Sequence, residues 1–382
     1  MRYLEMSEIP SHIIQYEGSN YFRIRLVLSL LSGKSITISQ IRHNDINPGL
    51  SEAEVNVVRL LDKITNGSHI HVNETGTELN FRPGLLVGGK VHHVCSNQRG
   101  IGYYLEVLLC LGPFCKVPLD VVLRGATNHK LDPSIEAVRS ASLPVIKKFF
   151  NFDNDIELKV VKRALNPNAD GEVIFKCPIS RKLKPVQITK QGKVKRIRGI
   201  AFTTKVSPAI GHRMVFEAKR ILMKCIPDVY INTDHSKGVK SGTSPGFGII
   251  LVAETTEGVF FTAEAMSSPA SPGSLPAIPE DLGREASLRL LEEIHNGGCV
   301  SSCSQSLAIL LMSLGEKDVS KFVTGPLTPY SIATLRHLVK FFALTFQIEP
   351  IRDEDEDLDL GASKVGLTCV GVGLRNLNKR VL

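Results

Sequence analysis

The chain has 382 residues, 43% hydrophobic and 22% charged, with a formal charge of +8. That is an ordinary composition for a globular protein of two domains, or of one large domain carrying an insertion. No apolar run approaches the roughly 18 residues of a membrane span, the opening MRYLEMSEIPSHIIQYEG lacks an apolar core of signal-peptide type, and none of the eight cysteines forms a CxxC pair, so a membrane protein or a secreted, disulfide-stapled one is not expected.

The first predicted helix is IRLVLSLLSG, with Ile24, Val27, Leu28 and Leu31 on one face and Gly33 at its end. SITISQI reads as a strand. PGLSEAEVNVVRLLDKITNG gives a second helix, opened by the Ser51–Glu54 capping-box pattern and closed near Gly67. Strands HIHVN and ELNFRPG follow, joined by NETG. The same order returns from GYYLEVLLCLG (102–112), through DVVLRG, PSIEAVRSASLPVIKKFF, IELKVVKR and GEVIFKCP. It returns again from SQSLAILLMSLG (304–315), through KFVTG, SIATLRHLVKFF, TFQIE and KVGLTCVGVG. Three such copies predict an α/β (α+β) protein of three repeated units, each a four-stranded sheet covered by helices, forming one large domain.

One segment breaks the rhythm. It reads as strand KVKRIRGIAFTTKV, helix SPAIGHRMVFEAKRILMKC, strands DVYINT, FGIILVAET and GVFFTAEAM, then the loop SSPASPGSLPAIP. This predicts a smaller inserted α+β domain at 185–283, with the large domain formed by 1–184 and 284–382. GREASLRLLEEIHNGG is expected to return the chain to the large domain.

Residues that invite a metal or phosphate reading mostly fail on spacing. His93 and Cys95 share a strand face that His92 cannot join, and no second cluster completes a tetrahedral site. Cys299 and Cys303, with His295 nearby, fail in the same way, so no metal is expected. GLLVGGK (84–90) lacks the GxxxxGK[ST] spacing, and its glycines suit a bulge. RKLKPVQITKQGKVKRIR (181–198) is a stronger signal, with eight Lys or Arg and no acid. Alternation puts Lys193 and Lys195 on one strand face and Arg196 and Arg198 on the other. RNA or an acidic partner would suit them, and a solvated face is the plain alternative. IRDEDEDLDLG (351–361) holds six acids and reads first as a solvated loop, second as a docking element for a basic partner.

Several strings resemble the RNA 3′-terminal phosphate cyclase superfamily: FRPGLLVGGKV, RGATNHKLDPSIEAV, KRIRGIAF and HSKGVKSGTSPGFGIILVAET. LLDKITNG, QRGIGYYLE, LGPFCK and NLNKR resemble its nucleolar branch, which acts in ribosome biogenesis. Cyclases of this kind use ATP to close an RNA 3′-phosphate into a 2′,3′-cyclic phosphate, through a histidine in a string like HPSxHLxTNI. Gapless matching of Phe322 to Phe342 places Tyr330 at that histidine and Pro326 at the earlier one. The glycine-rich GEGGGQ-like loop, which would let backbone amides reach a triphosphate, is here EGSNYF (17–22). A GSAGS-like turn is replaced by Ser96 to Gly100, and a later glycine cluster by NPNADGE.

These departures imply a pseudoenzyme with no catalytic residue and no cofactor. The resemblance implies a nucleolar, nuclear scaffold in early pre-rRNA processing for the 40S subunit, within the small-subunit processome. The implied partners are a nucleolar GTPase, a small nucleolar ribonucleoprotein and pre-rRNA, with direct RNA contact open and no membrane. Arg23, Arg25, Arg42, Arg99 and Arg124 fall where the family frames its site, so they are candidates to hold an anion or RNA, alongside Lys193, Lys195, Arg196 and Arg198. The alternative is an enzyme: a residual ATP-dependent cyclase, or a pre-rRNA endonuclease using Arg336, His337 and Lys340.

Overall fold

A computed structural model of the chain describes residues 13–152, 155–238, 241–268, 276–351 and 364–376. The acidic run at 352–359 lies outside them.

Three helices are apolar nearly all round, which requires burial on every side. They are α1 (Phe22–Ser32), α3 (Ile101–Leu111) and α8 (Gln305–Leu314). Each is the first helix of its repeat. α1 packs on α3, and α3 on α8, so the three repeats meet through them. Gly33 ends α1 in the left-handed region at φ 72°, its N–H bonded to Ser29 O, as a C-terminal glycine does. Fully buried leucines such as Leu28, Leu108 and Leu310 each contribute about 1.5–3 kcal/mol.

Each repeat has the four strands expected of it; the one that the segment reading did not locate comes first. The first unit holds β1 (Ile14–Glu17), β2 (Ile36–Ser39), α2 (Glu52–Ile64), the short ribbon strand β3 (Thr65–Asn66), then β4 (His69–Val72) and β5 (Leu79–Arg82). A second ribbon strand, β6 (Leu85–Leu86), pairs with β3. The second unit holds β7 (Gly88–Val94), β8 (Val117–Gly125), α4 (Ile135–Ala137) running through a wide turn into α5 (Leu143–Phe149), β9 (Glu157–Lys162) and β10 (Gly171–Cys177). The third holds β11 (Gln187–Ile188), β16 (Val319–Thr324), α9 (Pro329–Phe342), β17 (Phe346–Pro350) and β18 (Val365–Val370).

The sheets run β1-β2-β5-β4, β7-β8-β10-β9 and β11-β16-β18-β17. In each, the first strand is parallel to the second and the other pairings are antiparallel. The repeat is therefore strand–helix–strand–helix–strand–strand. Two residues of β11, and a β7 beginning with two glycines, carry too little alternation to be read as strands. Those glycines make the bulge that their sequence suggests, since the register shifts between Gly88 and Gly89. Gly88 has φ 77°, and a Cβ there would lie 2.6 Å from Val117 O.

The fourth sheet, β13-β12-β14-β15, is built from β12 (Val194–Thr204), β13 (Val229–Ser236), β14 (Gly246–Thr255) and β15 (Phe260–Met266). Its chain leaves the third repeat after β11 and rejoins it at α8. Helix α6 (Pro208–Leu222) packs on this sheet, and so does α7 (Pro279–Asn296), which also lies along α6. The helix expected to return the chain to the large domain is thus part of the inserted unit's packing. Leu282, Ala286 and Leu290 are its buried apolar residues, and its strongest contacts are with α6, β14 and β15. At the other end, residues 187–188 pair with β16 and belong to the third sheet.

Candidate functional site

Helix α9 starts at a Thr328 cap whose hydroxyl accepts from Ser331 N–H at 3.1 Å. Gln305 of α8 braces this turn, accepting from Thr328 N–H and Ser331 Oγ. Tyr330 is thereby fixed toward α1 and α3. There Arg23 donates to Tyr103 O at 2.8 Å and pairs with the Glu106 carboxylate, its guanidinium 3.9 Å from the Tyr103 ring centroid and 5.9 Å from that of Tyr330. Burial first, and the Glu106 carboxylate second, push the Tyr330 phenol well above its ordinary value. The hydroxyl is therefore neutral at physiological pH, and its nearest base is already held by a guanidinium.

The EGSNYF loop fills the space beside it. Tyr21 sits in the left-handed region at φ 58°, unusual for a bulky residue, and its ring lies 5.8 Å from the Tyr330 ring. Phe22 is buried in the core. Glycines at these positions would leave open backbone; here two aromatic side chains occupy it.

Four of the five candidate arginines are committed to carboxylates. Arg23 holds Glu106. Arg42 grips Glu54 with both terminal nitrogens and also bonds Gly49 O and Ser19 Oγ, each at 2.8 Å. Arg99 holds Asp132, which also receives Gly100 N–H at 2.8 Å. Burial alone would raise that carboxyl, but hydrogen bonds from His129, Arg99 and Gly100 outweigh it and hold it at about 2. Arg124 pairs with Glu172 at 3.0 Å.

Arg25 is the exception. It is buried, donates to Gly18 O at 2.7 Å and lies 4.4 Å from the Tyr16 ring centroid. Lys340 Nζ sits 4.2 Å from the same centroid and His337 packs edge-on against the ring at 5.0 Å. Burial, then Arg25 and Lys340, push the His337 imidazole down to about 4. Arg25 Nε, Tyr16 Oη and His337 Nε2 have no hydrogen-bond partner among the described residues. Arg336 is exposed, so of the three residues in the nuclease alternative only His337 and Lys340 meet at Tyr16. No ion pair joins either to a carboxylate among the described residues.

Elsewhere the SNQRG and NPNADGE segments make structural contacts. In SNQRG, Ser96 N–H donates to Tyr104 Oη at 3.1 Å and Gln98 Oε1 accepts from Ala53 N–H at the start of α2. In NPNADGE, Asn168 N–H donates to Ser244 Oγ and Asp170 accepts from Thr243 N–H at 3.0 Å, tying the second repeat to the inserted unit. Among the described residues no group of three or more His, Cys, Asp or Glu is placed to hold a metal ion.

The basic strand departs from its expected alternation. A register shift between Val194 and Arg196 sends Lys195 and Arg196 to one carboxylate, that of Glu254, at 2.9 and 2.6 Å. Arg198 pairs with Asp228 at 2.8 Å, and Lys193 is exposed. Sequence reasoning did not name the acids Glu106, Glu54, Asp132, Glu172, Glu254 and Asp228 as partners of these cations. Only Glu54 carried a local signal, its capping box.

A profile described as RNA 3′-terminal phosphate cyclase matches residues 14–348. The chain belongs to that family. It is 54% identical over 369 residues to a human protein named RNA 3′-terminal phosphate cyclase-like protein, covering 97% of this chain and 98% of the relative. A probable RNA 3′-terminal phosphate cyclase-like protein of Drosophila melanogaster is 52% identical over 372 residues, covering 96% and 97%. A Schizosaccharomyces pombe protein named rRNA processing protein rcl1 is 37% identical over 370 residues, covering 96% and 98%.

Proposed function

We propose that this chain is a non-catalytic member of its family that acts in rRNA processing, as a scaffold in early small-subunit maturation within the nucleolus. The observation that carries the non-catalytic half is the Arg23–Glu106 pair against Tyr330. An adenylyl acceptor must lose its proton and meet a triphosphate held by free cations and open backbone amides. Here the acceptor position is a phenol with a raised pKa, the loop is packed with Tyr21 and Phe22, and Arg23, Arg42 and Arg99 are paired with carboxylates within the protein. The rRNA-processing half is supported by the name of the fission-yeast relative, matched over nearly the whole of both chains. A nucleolar GTPase and a small nucleolar ribonucleoprotein complete the reading as partners, met by the inserted unit and the outer surface of the repeats.

The test is incubation with α-labelled ATP and an RNA ending in a 3′-phosphate, beside a true cyclase. Neither labelled protein nor cyclic RNA ends are expected. A protein adduct that disappears in Tyr330→Phe would overturn the reading.

A further inference from the structure

A second basic constellation lies away from Tyr330, where α2 runs beside β7. A cleft of about 470 Å³ opens there, with Arg59 and Lys63 on one wall and His92, Val94 and Arg124 on the other. That volume falls within the ordinary range of ligand clefts, about 300–1,000 Å³. Among the described residues Asp62 is the single acid lining it. Arg59 is exposed and makes no hydrogen bond or ion pair among the described residues, unlike the arginines around Tyr330. Arg124 gives one N–H to Glu172 and keeps the rest of its fork exposed.

The backbone decides what kind of ligand this cleft can take. β7 is an edge strand, and the free carbonyls of His92 and Val94 already accept from Lys63 Nζ at 2.9 Å and Asn56 Nδ2 at 3.1 Å. A peptide adding as a further strand would have to break both bonds. The floor is the buried His93, whose Nε2 lies 2.7 Å from Asn56 Oδ1. An amide oxygen only accepts, so that nitrogen carries the proton. Burial, then Lys63 and Arg59, push the imidazole down to about 4, and the ring adds no charge at neutral pH. What remains is a guanidinium, an ammonium and a second guanidinium beside an exposed imidazole and an exposed Val94.

We infer that this cleft binds single-stranded RNA, with Arg59, Lys63 and Arg124 on successive phosphates and a base against His92 and Val94. Cations fix the backbone, and a flat ring with an apolar neighbour offers a base its face. An acidic peptide would use the charges but not that stacking surface. The inference rests on the rRNA-processing reading only for which RNA arrives; the chemistry of the cleft stands without it.

The experiment is fluorescence anisotropy of a labelled ten-nucleotide oligouridylate with the full chain, titrated across salt concentrations. Arg59→Glu/Arg124→Glu is expected to weaken binding about tenfold or more near 100 mM salt, and to flatten the salt slope by about 0.7 for each phosphate no longer neutralised. Arg59→Lys, which keeps the charge, should bind within about threefold of the parent, and matching thermal melts would exclude a folding defect. Lys224→Glu, an exposed lysine of the inserted unit outside every candidate site, should leave affinity and slope near the parent's. An unchanged double variant, or weakened binding confined to Lys224→Glu, would overturn the assignment. So would displacement of the RNA by an oligoglutamate of equal charge and length at equal or lower concentration. Absence of RNA binding by the parent chain would sink the inference while leaving the scaffold reading standing.

Discussion

Most of the arginines around Tyr330, each of the residue type an anion site needs, are already paired with carboxylates. Apart from Arg25, each guanidinium that could meet a phosphate there is paired with a carboxylate from a neighbouring element, and such pairs hold structure rather than ligands. Arg23 makes this measurable. Its side chain is 14% exposed and that of Glu106 28%, so Arg23→Ala leaves a largely desolvated carboxylate beside a phenol. A loss of about 3 kcal/mol is expected by denaturant titration, with Arg23→Ala/Glu106→Gln recovering part of it. The candidate cations were legible in the sequence because their types and the family strings point to them. Their partners were not, because Arg23 and Glu106, or Arg99 and Asp132, are brought together only by packing across many intervening residues.

The helices follow local rules closely. α2 has both halves of its capping box: Ser51 Oγ accepts from Glu54 N–H, and the Glu54 carboxylate receives Ser51 N–H at 2.8 Å. Because Glu54 also holds Arg42, the cap is a joint between α2 and the β1–α1 loop as well as a helix start. Ser51→Ala should cost about 1 kcal/mol, read from a urea titration, while Ser51→Asp should retain most of the stability. Strands with clear alternation, such as β8 and β10, were equally legible, with burial switching at every residue over most of their length. The first strand of each repeat was not. β1 has four residues and β11 two, and each exists because a parallel neighbour supplies its hydrogen bonds. The bulge in β12 escaped for the same reason, since a register shift is a property of the pair β12–β14.

At the scale of the whole molecule, the seam between the second repeat and the inserted unit is polar. Arg163, nearly buried, pairs with Glu136 and Asp234, bonds Asn128 at 3.0 Å and lies 4.7 Å from the Phe202 ring centroid. Glu264 of β15 accepts from Ser134 N–H at 3.1 Å across this seam. Burial, reinforced by the Glu136 charge, raises its carboxyl from 4.5 to about 7. Between those values the folded protein holds a proton that the unfolded chain has lost. Stability therefore falls as pH rises from about 4.5 to about 7, and the contribution is absent above it. Glu264→Gln, whose amide oxygen can still accept from Ser134, should flatten that slope and raise stability at pH 8 by on the order of 2 kcal/mol. Parallel melts of the two proteins at pH 5 and pH 8 would check it. By itself the sequence determined the repeated order of helices and strands and the presence of an insertion, because periodicity and capping are local. The tertiary structure alone decided which acid neutralises each arginine, where the insertion's last helix packs and which basic residues remain free, because each depends on distances between segments far apart in the chain.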